Sequence, residues 1–357
     1  MHQFSLAQNI DELATAFGQI PDFAGIEISP DGDRIATLMN YEGQRILMTK
    51  SLVDPSIAPV GIPFNEGEFT WVRWVSNDRL IAGVRYAAKI RQYGKGMFNT
   101  VDFNTTRLVS MDWDGENFIL LTKRNRGRGF QPQFQDHIID LLPDDPEHVL
   151  LSLDVAVQNQ PAVYKLNVRT NDRSLIHDDL RHITNWVTDY NHEVRFGSGV
   201  EDRANIRESR RLANYRKTVN DDWIKLYDYD ARELEAPFDF LGFTENPDHI
   251  FILQLSKNGF KGIYKLDVNT QEIVETISES DEFDMRGLQF DQSGELVGYT
   301  YRHNMFKTVN FDEKGQKINR IFEQNFPGSE FTISSKSKDG NRLIVRPDRQ
   351  LIRDHII

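Results

Sequence analysis

The chain has 357 residues, of which 39% are hydrophobic, 27% charged and 11% aromatic; this is the composition of a globular protein rather than a disordered or fibrous one. Its formal net charge is 42 minus 54, or −12, which disfavours nucleic acid and anionic membranes as partners because like charges repel. The sequence contains no cysteine, so disulfide bonds, thiolate nucleophiles and cysteine-bound zinc are excluded.

Residues 1–22 are predicted to be an N-terminal segment with a short amphipathic helix. Asn9 is a suitable cap and Glu12 follows three residues later. The apolar positions on one helical face are Ile10, Leu13, Ala14 and Phe17. No stretch reaches the roughly 18 apolar residues of a membrane span, which favours a cytoplasmic protein. Residues 5–7, Ser-Leu-Ala, resemble a signal-peptidase site, so a periplasmic protein that has lost an upstream signal peptide is the alternative.

From residue 23 onward, apolar and polar residues alternate and the alternation is broken by Asp-Gly, Asn-Asp or Asp-Pro turns. This pattern predicts antiparallel strands joined by tight turns. Strand-turn-strand segments occur at 25–39, 71–84, 138–153, 240–255, 286–301 and 331–345. Four of them are followed by a second predicted strand pair, at 107–121, 162–176, 262–277 and 307–322. Two such pairs make one four-stranded sheet.

The strand pattern repeats with a period of about 50 residues. Pro146 corresponds to Pro247 at an offset of 101, Tyr164 corresponds to Tyr264 at an offset of 100, and a further unit at 183–230 lies between them. A four-stranded sheet repeated at this period predicts an all-β β-propeller over residues 23–345, since each sheet must stack on its neighbours to bury its faces. Six complete blades are predicted at 23–60, 68–123, 136–178, 182–233, 238–278 and 285–323, with a partial seventh from 331. A β-sandwich is the structural alternative, but it would not explain the repeat.

Several segments resemble a known family in their order along the chain. "ISPDGDRIATL", "GQRILMTKSL" and "FTWVRWVSNDRLIAGV" resemble the start of the propeller of prolyl oligopeptidase family serine peptidases, especially bacterial dipeptidyl-peptidase and acylaminoacyl-peptidase-like members. "DLLPDDPEHVLLSLD", "PAVYKLNVRT", "NWVTDYNHEVRFGSG" and "FLGFTENPDHIFIL" are similar to the later blades. The resemblance implies the propeller portion of a hydrolase, which gates peptide access to a catalytic domain.

The catalytic signature of that family does not occur in these residues. No Gly-x-Ser-x-Gly nucleophile elbow occurs among the 357 residues, so no catalytic residue can be transferred and the chain alone is predicted to be inactive. The charged tail at 346–357 is interpreted as the product of truncation, frameshift or fragmentation. An incomplete last blade would leave an open strand edge, which predicts self-association through residues 331–357. The alternative function is a free-standing propeller that serves as a binding or interaction scaffold.

One segment is predicted to be a recognition loop. Residues 200–222 read as a long insertion in the fourth blade, where propellers often carry recognition residues. Its basic residues could contact an acidic peptide terminus or the missing hydrolase domain, and a merely solvated loop is the alternative. The candidate residues are Arg203, Arg207, Arg210, Arg211 and Arg216.

Three other segments are predicted to have no binding or catalytic site. "DWDGEN" (112–117) begins like a calcium loop but lacks the required glycine and bidentate glutamate, so it is predicted to be a turn. "HDDLRH" (177–182) is predicted to be a solvated loop, and the basic segment 123–136 to be a connector between blades. No metal and no cofactor are predicted, and the five tryptophans are expected to pack in the core.

Overall fold

The computed structural model of the chain describes residues 23–94, 97–122, 132–157, 159–178, 180–203, 208–232 and 236–348. In these residues the regular structure is antiparallel β-sheet with one helix. The fold class is therefore all-β, and the successive four-stranded sheets are the blades of a β-propeller, as the sequence predicts. The predicted helix within 1–22 and the tail from residue 349 lie outside the described residues. No helix in the described ranges is both long and apolar enough to cross a membrane.

The chain divides into two compact units, of which the first comprises Met1–Arg124 and Ser334–Ile344. It contains two four-stranded sheets, each an up-and-down meander in chain order. Sheet one consists of β1 (Phe23–Ile28), β2 (Arg34–Tyr41), β3 (Gln44–Ser51) and β4 (Val60–Ile62). Sheet two consists of β5 (Glu68–Trp74), β6 (Arg79–Gly94), β7 (Met97–Asp112) and β8 (Ile119–Leu120).

The second unit comprises Asn125–Ile333 and Val345–Ile357. Sheet three consists of β9 (His137–Asp140), β10 (His148–Val157), β11 (Gln160–Asn167) and β12 (Arg173–His177), and sheet four of β13 (Ile183–Thr188), β14 (Val194–Arg203), β15 (Glu208–Tyr215) and β16 (Ile224–Asp230). Sheet five consists of β17 (Asp239–Phe243), β18 (His249–Leu255), β19 (Lys261–Asp267) and β20 (Ile273–Ser278), and sheet six of β21 (Met285–Phe290), β22 (Leu296–Arg302) and β23 (Phe306–Asn310). Helix α1 (Glu313–Asn325) follows β23, and a last hairpin consists of β24 (Glu330–Lys336) and β25 (Leu343–Asp348).

The alternating sequence forms these sheets because each strand buries one row of apolar side chains against a neighbouring sheet. In the first unit, Leu38 and Leu47 of sheet one belong to the same buried cluster as Val72 and Leu80 of sheet two. In the second unit, residues of sheets three and four form another such cluster, which contains Trp186. Each buried aliphatic side chain contributes about 1.5–3 kcal/mol relative to exposure, so a sheet is stable only beside its neighbours.

The sixth sheet departs from the prediction of a complete blade. It has three strands rather than four, and the segment predicted as a second strand pair at 307–322 forms β23 and helix α1 instead. Asp312 caps the helix, because its side chain accepts a hydrogen bond from the Gly315 backbone N–H at 3.1 Å. Phe322 in the helix is buried, so capping and an apolar helical face together outweigh the strand pair that the sequence pattern predicted.

The segment predicted as an insertion at 200–222 is largely regular sheet. Residues 200–203 belong to β14 and residues 208–215 to β15, and the two strands pair in continuous antiparallel register from Phe196 opposite Tyr215 to Arg203 opposite Glu208. In sheet two, β6 and β7 also run far beyond their neighbours: β5 pairs with β6 only as far as Arg85, whereas the β6–β7 ladder continues to Gly94. Two-stranded extensions therefore contribute to the extra length of these two sheets.

Within the first unit, the turn of the last hairpin is held against the first turn of sheet one. The backbone N–H of Lys338 donates to the carbonyl of Pro30 at 2.7 Å. Arg342 Nη1 lies 3.1 Å from Asp33 Oδ1. Ser337 in the same turn is 1% exposed. The partial seventh blade therefore has anchoring contacts that the sequence pattern did not predict.

Candidate functional site

Of the five predicted recognition arginines, three have described side chains, and Arg210 is one of these. Arg207 lies outside the described residues, and only the backbone of Arg203 is described. The Nε of Arg210 donates to Asp228 Oδ1 at 2.6 Å, and its Nη2 donates to the Asp228 carbonyl at 3.0 Å. Burial raises the pKa of the Asp228 carboxyl, but hydrogen bonds from Lys225 and Arg210 outweigh burial and hold it below its ordinary value. Arg210 therefore ties β15 to β16.

The other two arginines differ from each other. Arg216 donates from Nε to the Val194 carbonyl at 2.8 Å and from Nη1 to the Val219 carbonyl at 3.0 Å, and its guanidinium lies 4.7 Å from the Trp223 ring centre. Arg211 is exposed. Of the three described guanidinium groups, only that of Arg211 is exposed, so a recognition role for this segment stays a prediction that rests on few residues.

The two other polar segments are used in turns and in the core. In "DWDGEN", Asp112 Oδ1 accepts from Arg79 Nη1 at 2.8 Å and its Oδ2 accepts from Asn117 at 2.6 Å, which confirms a turn. In "HDDLRH", the His177 ring packs edge-on against Trp186 with 4.7 Å between ring centres. His177 is thus a core residue rather than a solvated one.

Histidine–carboxylate pairs recur beside the strand turns of the second unit. His192 Nδ1 lies 2.9 Å from Asp140 Oδ2, and His148 Nδ1 lies 2.8 Å from Asp145 Oδ1. A hydrolytic triad would need a hydroxyl bonded to the other ring nitrogen. Thr188 bonds to Asp140 and not to His192, so in the described residues these pairs orient turns. The described residues also contain no group of three histidines or carboxylates that could hold a metal ion.

A polar cluster lies at the edge strand of sheet one. Glu27 forms an ion pair with Arg73, and its other carboxylate oxygen accepts from Ser335 Oγ at 3.0 Å. The same Ser335 Oγ accepts from the Ile28 backbone N–H at 3.0 Å. Burial raises the pKa of the Glu27 carboxyl, and Arg73 and Ser335 only partly offset this effect. The Ser335 hydroxyl donates to Glu27 and accepts from the Ile28 backbone, so the cluster joins the hairpin to sheet one.

A cavity in the second unit lies on one face of sheet six. This cleft, called here the sheet-six cleft, has a volume of about 190 Å³. Its floor is the sheet face, and its walls are the start of α1 and the start of β24. The lining residues are Gln289, Thr300, Phe306, Thr308, Asn310, Gly315, Ile318, Asn319, Phe331, Thr332 and Ile333. No residue in this set carries a charge.

Five of the lining side chains carry an amide or hydroxyl group without a hydrogen-bonding partner among the described residues; they are Gln289, Thr308, Asn310, Asn319 and Thr332. The apolar wall is partly open to solvent: Phe306 is 46% exposed and Ile333 is 40% exposed. Exposed apolar surface beside unpaired amides is the composition of a small binding site. Chemically, the cleft can bind neutral groups that both donate and accept hydrogen bonds.

This cleft was not predicted from the sequence, because most of its residues were assigned to a complete sixth blade. The available signal was Asp312 three residues before Gly315, followed by apolar residues at helical spacing at Ile318, Ile321 and Phe322. A helix at this place removes the fourth strand from the sheet. Had the helix been recognised, the uncovered strand edge could have been predicted.

Comparison with known proteins gives distant structural likenesses only. No protein-family model and no curated protein matches the sequence. The chain is similar to the crystal structure of TolB from Acinetobacter baumannii at 11% identity, with 84% of this chain and 65% of that chain covered and a TM-score of 0.36. It is similar to Porphyromonas gingivalis dipeptidyl peptidase 4 at 12% identity, with coverage of 92% and 50% and a TM-score of 0.48. It is also similar to an oligogalacturonate lyase from Vibrio parahaemolyticus at 11% identity, with coverage of 81% and 77% and a TM-score of 0.42.

The chain spans 65% of the length of the TolB structure and half the length of the dipeptidyl peptidase. The three proteins carry unrelated names, and one fold commonly hosts several functions. Likenesses at this distance therefore assign no activity.

Proposed function

We propose that this chain is the non-catalytic β-propeller portion of a prolyl-oligopeptidase-like serine peptidase, and that it restricts the access of peptides to a catalytic domain. The observation that carries the proposal is the order of the resembling segments. "ISPDGDRIATL" covers the turn from β1 to β2, "FTWVRW" lies in β5, and "PAVYKLN" lies in β11. The family-like segments thus fall, in the family's order, on strands of three successive sheets.

The surroundings of the serine residues support a non-catalytic role for this chain. A serine is a poor nucleophile at neutral pH without a positioned base and oxyanion donors. The 357 residues contain no nucleophile elbow, and Ser335 bonds to Glu27 rather than to a histidine. Hydrolysis would then depend on residues outside this sequence.

Two measurements test this proposal. The purified chain should neither react with an active-site fluorophosphonate nor cleave dipeptide or acyl-amino-acid chromogenic substrates; labelling of one serine per chain would contradict the proposal. The coding DNA downstream of the Ile357 codon should contain, in some reading frame, a Gly-x-Ser-x-Gly sequence followed by an aspartate and a histidine.

The second candidate is a free-standing propeller that serves as a binding scaffold. The sheet-six cleft favours it, because a binding site with unpaired amides does not need a catalytic domain. Intergenic DNA directly after residue 357 would favour this second function over the first.

A further inference from the structure

The outer edge of sheet six is a strand edge with free backbone groups. In the described residues β23 pairs only with β22, whereas sheets one to five each have a fourth strand. The Phe311 N–H donates to the Val297 carbonyl at 2.7 Å. Because hydrogen-bonded and non-bonded residues alternate in an antiparallel ladder, the N–H and C=O groups of Phe306, Thr308 and Asn310 are directed away from β22.

Helix α1 covers only one end of this edge. Gln316 Nε2 lies 3.3 Å from the carbonyls of both Asn310 and Phe311, so the Asn310 end is satisfied within the chain. Toward the other end, the side chain of Phe306 is 46% exposed. The outward backbone groups of Phe306 and Thr308 therefore form the open part of the edge.

The same residues of β23 form the strand edge and line the sheet-six cleft. Phe306, Thr308 and Asn310 direct their backbone groups to the edge and their side chains into the cleft, because alternate side chains share one face of a strand. A strand added beside β23 would bond to the backbone of Phe306 and Thr308. Its alternate side chains would lie beside the cleft, where Asn319 and Gln289 offer amide groups.

The chemistry of the lining selects the class of occupant. The eleven lining residues are uncharged, so a charged ligand would lose its hydration without a counter-charge. A peptide backbone presents alternating N–H and C=O groups that match both an open strand edge and free side-chain amides. A neutral sugar would match the amides, but it would leave the backbone groups of the edge unused.

We propose that the sheet-six cleft binds an uncharged, extended peptide segment as a fourth strand beside β23, by the β-strand addition that several peptide-binding domains use. The occupant has small or β-branched side chains, because the cleft of about 190 Å³ is smaller than the roughly 300–1,000 Å³ of drug-sized sites. This inference does not rest on the proposed peptidase relationship, and its test measures no hydrolysis.

The test uses the full chain and the blocked peptide acetyl-Val-Thr-Val-Thr-Val-amide. Calorimetric titration should show saturable one-to-one binding. Hydrogen exchange followed by NMR should show slower exchange of the Phe306 and Thr308 amides in the presence of peptide. The same peptide with every backbone nitrogen methylated should not bind, since it has lost its donors.

A matched pair of variants locates the site. Thr308→Pro removes an outward N–H, a change that an edge strand tolerates, and should weaken peptide binding at least about tenfold, equivalent to about 1.4 kcal/mol. Thr308→Val keeps the N–H and loses only the hydroxyl, so binding should weaken less than about threefold because one exposed hydrogen bond is lost.

Three outcomes would overturn the inference. One is equal binding of the methylated and unmethylated peptides, and another is equal binding by the proline and valine variants. The third is binding of another occupant in place of the peptide. That occupant would be cellotetraose, as a neutral sugar, or a second copy of this chain, detected as a dimer by light scattering that excess peptide does not dissociate.

Discussion

Arg195 places a charged guanidinium in the interior of sheet four. Its Nη1 donates to Asp189 Oδ2 at 2.9 Å, its Nη2 donates to the Tyr215 hydroxyl at 2.6 Å, and its Nε donates to the Arg216 carbonyl at 3.1 Å. Tyr215 in turn donates to the Pro247 carbonyl at 2.7 Å. This chain of hydrogen bonds links sheet four to the turn before β18. Arg195 should therefore contribute far more to the free energy of unfolding than an exposed arginine does.

Arg195→Ala should lower the free energy of unfolding by about 3–5 kcal/mol, because it leaves the Asp189 carboxylate buried without its partner. The side chains of Arg195 and Asp189 are 10% and 4% exposed. The control is Lys261→Ala, whose ion pair with Asp239 is 45% and 52% exposed and should contribute less than about 1 kcal/mol. Calorimetric melting of both variants measures the difference, and equal melting temperatures would refute the role of Arg195.

Glu27 should make stability depend on pH. In the unfolded chain its carboxyl has an ordinary pKa of 4.5, and burial raises the pKa in the folded chain. The folded state therefore binds more protons between these two values, so the free energy of unfolding that this group contributes is present below pH 4.5 and is lost as pH rises through the folded pKa.

Glu27→Gln removes this titration and keeps an acceptor for Ser335. Compared with the parent, the variant should gain melting temperature as the pH is raised from about 4 to about 8. Glu68→Gln is the control, since the Glu68–Arg85 pair is 38% and 46% exposed. A constant difference between Glu27→Gln and the parent across this pH range would show that burial of Glu27 has no energetic consequence.

Single-residue roles were the part that sequence could predict least. The tight turns and the turn character of "DWDGEN" were predicted correctly, because Asp, Asn and Gly act through local hydrogen bonds. The partners of Arg210 and Arg216 were not predicted, because their partners depend on strand pairing between distant segments. Arginines that lie close together in the sequence, such as Arg210 and Arg216, therefore make separate contacts with different partners.

Strands and tight turns, in contrast, follow directly from local pattern. The predicted blade at 238–278 is observed as strands from 239 to 278, and the predicted blade at 136–178 as strands from 137 to 177. The error at 307–322 arose because aspartate and glycine, here Asp312 and Gly315, occur both in turns and at helix ends. Only the apolar spacing after Gly315 distinguishes these two uses.

Gly294, in the turn between β21 and β22, packs closely against Tyr190. It has φ of +88°, and a Cβ placed there would lie 2.1 Å from the ring of Tyr190. Gly259 has φ of +85° but no atom within 4 Å of such a Cβ, so the two glycines share a backbone conformation and differ in surroundings.

Gly259→Ala should destabilise the protein by about 1–2 kcal/mol from backbone strain alone. Gly294→Ala should cost about 1–3 kcal/mol more, because the ring of Tyr190 must move. In a Tyr190→Ala background, the loss caused by Gly294→Ala should be smaller, whereas the loss caused by Gly259→Ala should be unchanged. Urea unfolding of each glycine variant in both backgrounds measures these losses, and equal losses for the two glycine variants in the parent would contradict the contact.

The repeat of about 50 residues is the strongest indication of the fold in the sequence, because it reflects one structural unit repeated along the chain. It predicted the existence and order of the sheets, including the last hairpin, and the bounds of most of them, but not those of sheet six. It did not predict the missing strand of sheet six, since a repeat describes what the blades share and not where one of them differs. Self-association through residues 331–357 stays a prediction, to be weighed against the contacts that Lys338 and Arg342 make with sheet one.

Hydrogen exchange of the intact chain, followed by mass spectrometry, tests most directly the claim that successive antiparallel sheets build this protein. The account predicts slow exchange in blocks that recur about every 50 residues, centred on the middle strands of sheets one to six, such as β2–β3 and β18–β19. Interior ladders open only through large-scale unfolding, whereas turns exchange locally. Protection without this recurrence, or an unprotected stretch spanning two neighbouring sheets, would contradict the account.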